Sequence, residues 1–203
     1  MMDAVADSYW TLSAPSEGLY KEKMSKFLAF AHPCRTADEA LAVVAEYRKR
    51  YYDARHVCWA YMLGVERTQF RSNDDGEPSG TAGKPILGQI NSRGLSDLVV
   101  IVVRYFGGIK LGTSGLIEAY RQAAAEALDA APLEERLVEE QLSASLDYAL
   151  MGDVMRIVKE EGATLLSQDY GDRYRLTLSL RRAGIPKLRK RLELIYGVTI
   201  EEP

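Results

Sequence analysis

Residues 98–103, Leu-Val-Val-Ile-Val-Val, form an unbroken apolar run of mostly β-branched side chains that ends at Arg104. Such a strand has no polar face to offer water, so it must lie in the middle of a sheet with a packed layer on each side. It leads into Arg104-Tyr105-Phe106-Gly107-Gly108-Ile109-Lys110-Leu111-Gly112-Thr113-Ser114-Gly115. Leu116, Tyr120, Ala123 and Ala127 then recur on one helical face until about Ala131, where Pro132 stops the helix. Strand, glycine-rich turn and helix start, in that order, turn backbone N–H groups toward an anion in many folds. Neither G-x-x-x-x-G-K-[ST] nor G-x-G-x-x-G occurs in it, and tight packing accounts for the same glycines.

Residues 9–14 and 26–31 read as two strands of an edge hairpin, with a turn around 15–18. Thr36 stands three residues before Glu39, a capping-box spacing, and Ala40, Val44, Tyr47 and Tyr51 share a helical face. Residues 57–63 and 67–71 form a second strand pair, and residues 132–140, with Pro132 and several acids, read as a linker. Beyond it the order is strand, helix, strand, strand, helix, strand, with a hairpin at Gly171-Asp172 and a helix opened by Pro186. These readings give an α+β chain of two domains, residues 1–134 and a ferredoxin-like split βαβ domain over 135–203.

A second dense segment runs from Asn73 to Pro85. It gathers Asp74, Asp75, Glu77, Ser79, Thr81 and Lys84 with three glycines, a composition suited either to an elaborate turn or to a ligand loop. Three carboxylates also suit a hard cation. His32-Pro-Cys34 and His56-Val57-Cys58 repeat a His-x-Cys pattern whose spacing matches no usual zinc ligand pair, so no metal is expected. Nor does any motif indicate a bound cofactor or a nucleophilic triad, and no catalytic residue is assigned.

The net charge of −3 conceals a local excess, because residues 173–191 carry eight Lys or Arg and no Asp or Glu. Alternation along a strand puts Arg173 and Arg175 on the face away from the helices, and Lys187, Arg189 and Arg191 follow on a helix. A patch of that kind is either a solvated face or a nucleic-acid contact. The first residues lack the basic flank and apolar stretch of a secretory signal, and no long apolar span occurs, so a cytoplasmic location without membrane contact is expected.

Taken together, the two glycine-rich segments resemble the Impact, or YigZ, family in its bacterial two-domain form. The likeness runs through Ser25-Lys26-Phe27-Leu28, Ala54-Arg55-His56-Val57-Cys58-Trp59-Ala60-Tyr61, residues 74–87 and residues 104–120. Ser114 departs from it, since the family more often has a glycine there. The resemblance implies a first domain like the second domain of ribosomal protein S-five and a second like domain five of the translocating elongation factor. It also implies translational control, the role of eukaryotic relatives.

The expected function is therefore a regulatory binding protein contacting RNA, the ribosome or a translation-associated protein. Arg173, Arg175, Lys187, Arg189 and Arg191 would meet phosphate, and Arg104, Tyr105, Phe106, Lys110 and the 74–84 loop would form the first-domain surface. The alternative is an enzyme on a phosphorylated or anionic small molecule, with Asp74, Asp75 and Glu77 as acid, base or cation ligands and Lys84 or Lys110 on the anion.

Overall fold

The computed structural model describes residues 7–201. In chain order its elements are β1 (Ser8–Leu12), β2 (Ser16–Glu22), β3 (Ser25–Pro33), α1 (Ala37–Arg50), β4 (His56–Leu63), β5 (Gln69–Asn73), α2 (Gly83–Ser92), β6 (Leu98–Tyr105) and α3 (Gly112–Asp129). There follow β7 (Leu133–Leu137), β8 (Glu139–Leu146), α4 (Met151–Glu161), β9 (Thr164–Tyr170), β10 (Tyr174–Arg181), α5 (Ile185–Glu193) and β11 (Thr199–Glu201). The chain separates into a larger unit, Tyr9–Arg136, and a smaller unit comprising residues 7–8 and 137–201. Among the described residues no helix is long and apolar enough to cross a membrane.

In the larger unit β6 is the middle strand of a five-stranded sheet ordered β2-β3-β6-β4-β5, with every neighbouring pair antiparallel. Its side chains serve two cores. Leu98, Val100 and Val102 pack with Ile86 and Ile90 of α2 and Tyr120 and Ala123 of α3, while Val99, Ile101 and Val103 pack with Val44 and Tyr47 of α1. The apolar run thus acquires a helical layer on each face, as its composition requires. Thr36 starts α1 by accepting from the Glu39 N–H at 3.1 Å, and the Glu39 carboxylate accepts from the Arg35 N–H at 2.7 Å.

Four local expectations change. The first hairpin is β2 with β3, turned by Lys23 and Met24 with φ of 44° and 66°, whereas β1 pairs with β7. Residues 16–22, read in part as a turn, are extended, and Gly18 is there for clearance: a Cβ would stand 2.7 Å from the backbone carbon of Glu126 in α3. The presumed linker contains β7, a strand whose five residues alternate exposed and half-buried, as suits a charged edge. Finally, α2 begins within the segment read as irregular, with Pro85 in its first turn, where the missing N–H costs nothing.

The smaller unit is a four-stranded sheet ordered β11-β8-β10-β9, with α4 and α5 supplying the crossovers of the split βαβ pattern. Leu142, Ala144 and Leu146 of β8 and Tyr174, Leu176 and Leu178 of β10 meet Val154 and Val158 of α4 and Leu188 and Leu192 of α5. Gly162, at φ 71°, closes α4 in the left-handed conformation that a helix end commonly adopts.

Candidate functional site

The carboxylates of the 74–77 segment are spent on building the loop. Asp74 accepts from the N–H groups of Gly80 at 2.8 Å, Ala82 at 3.0 Å and Gly83 at 2.8 Å, so it caps α2 from across the loop. Burial disfavours its charge, yet these three donors and the nearby Lys84 prevail and hold its carboxyl below the usual carboxylate range. Asp75 accepts from the Val57 N–H at 2.6 Å and pairs with Arg48 at 2.5 Å. Glu77 accepts from Arg104 at 2.6 Å and from the Tyr120 hydroxyl at 2.9 Å. Thr81 donates to the Pro78 carbonyl at 2.6 Å. The three acids do not converge, and among the described residues no group of three or more His, Cys, Asp or Glu is arranged to hold a metal ion. The cation-ligand alternative for this loop is thereby corrected: each carboxylate is occupied by donors of its own protein.

What the loop builds is one wall of a cavity of about 450 Å³ in the larger unit, lined by Arg55, His56, Glu77, Arg104, Phe106 and Lys110 and by the start of α3 at Leu111, Gly112 and Thr113. Register explains the gathering, because His56 on β4 stands opposite Arg104 on β6. The Asp75 carbonyl, which can only accept, takes the Nδ1–H of His56 at 2.8 Å and so leaves Nε2 directed toward Glu77, 4.0 Å away. Leu111 gives α3 no side-chain cap, so the first-turn N–H groups lack intrahelical acceptors where they border the cavity. Arg104 lies between Phe27 and Phe106, its guanidinium carbon 5.4 Å and 5.5 Å from the two ring centroids.

Of the residues singled out from sequence, Glu77, Arg104, Phe106 and Lys110 line this cavity. Asp74, Asp75 and Thr81 hold the loop from behind, while Ser79 and Lys84 are exposed beside it. Tyr105 lies in an adjoining hollow of about 460 Å³ with Met24, Lys26, Leu28, Tyr51 and Phe106, and its hydroxyl donates to Asp53 at 2.8 Å. Burial, then Asp53, pushes the Tyr105 phenol up to about 12. Arg55, His56 and Thr113 were not singled out as ligand contacts. Strand pairing places His56, at the start of β4, beside Arg104 at the end of β6, and Thr113 belongs to the glycine-rich run that opens α3.

The basic segment of the smaller unit is largely neutralised in space. Arg173 donates to the Gly197 carbonyl at 2.5 Å and lies 3.5 Å from Asp147, and Arg175 pairs with Glu201 at 3.2 Å. Lys187 pairs with Glu161 at 3.0 Å, and Arg191 reaches Glu160 and Glu161, each at 2.5 Å. Among the described residues Arg189 and Lys190 take part in no ion pair.

The Impact N-terminal domain family matches residues 23–128, which includes every residue of the cavity. Bacillus subtilis YvyE, an IMPACT family member, is 35% identical over 165 residues, covering 81% of this chain and 76% of YvyE. Escherichia coli YigZ, another IMPACT family member, is 29% identical and covers 92% of both chains. A crystal structure described as that of a hypothetical protein superposes with a TM-score of 0.75 at 28% identity, covering 98% of this chain and 100% of its own. The chain belongs to the Impact family.

Proposed function

We propose that the protein is a regulatory binding protein of translation that contacts RNA, free or within the ribosome, through the cationic cavity of its larger unit. The observation that carries this reading is the division of labour around that cavity. Asp74, Asp75 and Glu77 are consumed by internal donors, whereas Arg55 and Lys110 are exposed and, among the described residues, without an ion pair. A surface with free cations and an uncapped helix start, whose carboxylates are all held by internal donors, suits phosphate contact. The translational setting comes from family membership, whose eukaryotic branch acts in translational control. Arg173, Arg175, Lys187, Arg189 and Arg191 provide at most a second contact, because four of these five are already paired with acids.

Sedimentation of the full chain with ribosomes and with total RNA, at low and moderate salt, tests the proposal. Association that weakens with salt and is lost in the Arg55→Glu/Lys110→Glu variant supports it. Equal association of that variant and the unaltered protein contradicts it.

A further inference from the structure

Phe106 lines both hollows of the larger unit, the cationic one at the start of α3 and the adjoining aromatic one lined by Leu28, Tyr51 and Tyr105. We infer that the two form a single nucleotide site, with a phosphate at the start of α3 and a base against Phe106. The inference rests on the cavity being the contact surface of the proposed function and names the chemical unit it accepts.

Three features point to a ligand. First, the first turn of α3 meets the cavity without a cap, and such a terminus favours an anion. Second, the Arg104 side chain is only 7% exposed, yet its Nε is buried without a hydrogen-bond partner. The Nε of Arg67 and of Arg173 is buried in the same way, but here the guanidinium stands in the cavity wall, held by Glu77 through Nη1, and places positive charge there. Third, the Phe106 ring is 49% exposed although one side of it lies over the Arg104 guanidinium. A half-exposed phenyl ring backed by a cation is a platform for an aromatic base, and stacking on it discriminates poorly among bases. Lys110 beside the phosphate position and Lys26 in the aromatic hollow add positive charge at both ends. The volumes, about 450 Å³ and 460 Å³, leave room for a sugar and base as well as a phosphate.

The test is calorimetric titration of the full chain with adenosine 5′-monophosphate, ribose 5-phosphate, inorganic phosphate and adenosine. The monophosphate is expected to bind at millimolar concentration or better, more tightly than ribose 5-phosphate, with adenosine alone far weaker. Phe106→Ala, at an exposed position, should weaken the monophosphate about tenfold and leave inorganic phosphate unchanged. Lys110→Glu should weaken all three phosphates and not adenosine. Adenosine binding as tightly as its monophosphate overturns the phosphate assignment, and a Phe106→Ala variant that binds the monophosphate normally overturns the base assignment. Nucleotide binding without ribosome or RNA association would remove the translational reading and leave the site standing. Association that depends on Arg55 and Lys110 with no nucleotide binding would do the reverse.

Discussion

Arg104 donates to Glu77 at 2.6 Å, and the two side chains retain only 7% and 4% of their exposure. The pair joins the end of the central strand to the loop that precedes α2, and Tyr120 of α3 adds a third arm through its hydroxyl. A buried ion pair contributes little net stability, because desolvation offsets its attraction. Its value here is geometric: the cavity wall has one arrangement in which both charges are satisfied.

Removing one partner should therefore cost far more than the pair contributes. Glu77→Ala strands a buried guanidinium and removes the Tyr120 acceptor, and it should destabilise the larger unit by about 3–5 kcal/mol. Glu77→Gln keeps an acceptor and should cost less. Urea unfolding of both variants checks this; an alanine variant within about 1 kcal/mol of the unaltered protein would show that the pair is not buried as described.

Gly107 and Gly152 separate two uses of glycine. A Cβ on Gly107 would collide with the backbone of Met24 and Ser25 in the β2–β3 turn, whereas one on Gly152, in the first turn of α4, meets nothing within 4 Å. Gly107→Ala should destabilise by about 1–3 kcal/mol and Gly152→Ala should stabilise by about 0.5 kcal/mol. Thermal melts of the pair should move in opposite directions; movement in the same direction would contradict the packing described.

Asp74 makes the loop sensitive to acid. Its carboxyl is held below the ordinary range, so on acidification the unfolded chain takes up a proton before the folded one does. Its contribution is thus complete above an unfolded value of about 3.9 and disappears as pH falls through the lower folded value. The stability gap between the unaltered protein and Asp74→Asn should be constant near neutrality and shrink as pH is lowered toward about 3. A gap that widens on acidification would have the wrong sign.

Cys34 and Cys58 are free, buried thiols. Burial pushes Cys34 up to about 12 and raises Cys58 as well, the latter with its Sγ 3.0 Å from the Asp74 carbonyl that accepts its S–H. A thiol reagent should label neither at a rate near that of a free cysteine while the protein is folded, and both in denaturant. Fast labelling of Cys58 in the native protein would mean that the 74–83 loop opens.

Much of the larger unit was legible because its patterns are local. The apolar run of β6 required two covering layers, and the Thr36–Glu39 spacing located α1. What local pattern could not supply was spatial. Gly18 reads as a turn residue until α3 is packed against it. The absence of acids between Arg173 and Arg191 reads as a basic patch until Asp147, Glu160, Glu161 and Glu201 arrive from other elements to neutralise most of it. The three acids of the 74–77 segment resemble ligands in sequence, and only the fold reveals that they face inward to N–H groups and Arg104. His56 reads as half of a His-x-Cys repeat until β4–β6 register sets it opposite Arg104 in the cavity wall.

On the proposed reading the cavity at the start of α3, and not the basic segment of the smaller unit, meets the nucleic acid. The most direct measurement is cosedimentation with ribosomes at low salt of three proteins: the unaltered chain, Arg55→Glu/Lys110→Glu, and Arg189→Glu/Lys190→Glu. The first reversal should abolish an association that the second leaves largely intact, with both variants folded as judged by their melting curves. Loss of association only in the second variant, or no association by the unaltered chain, would contradict that reading.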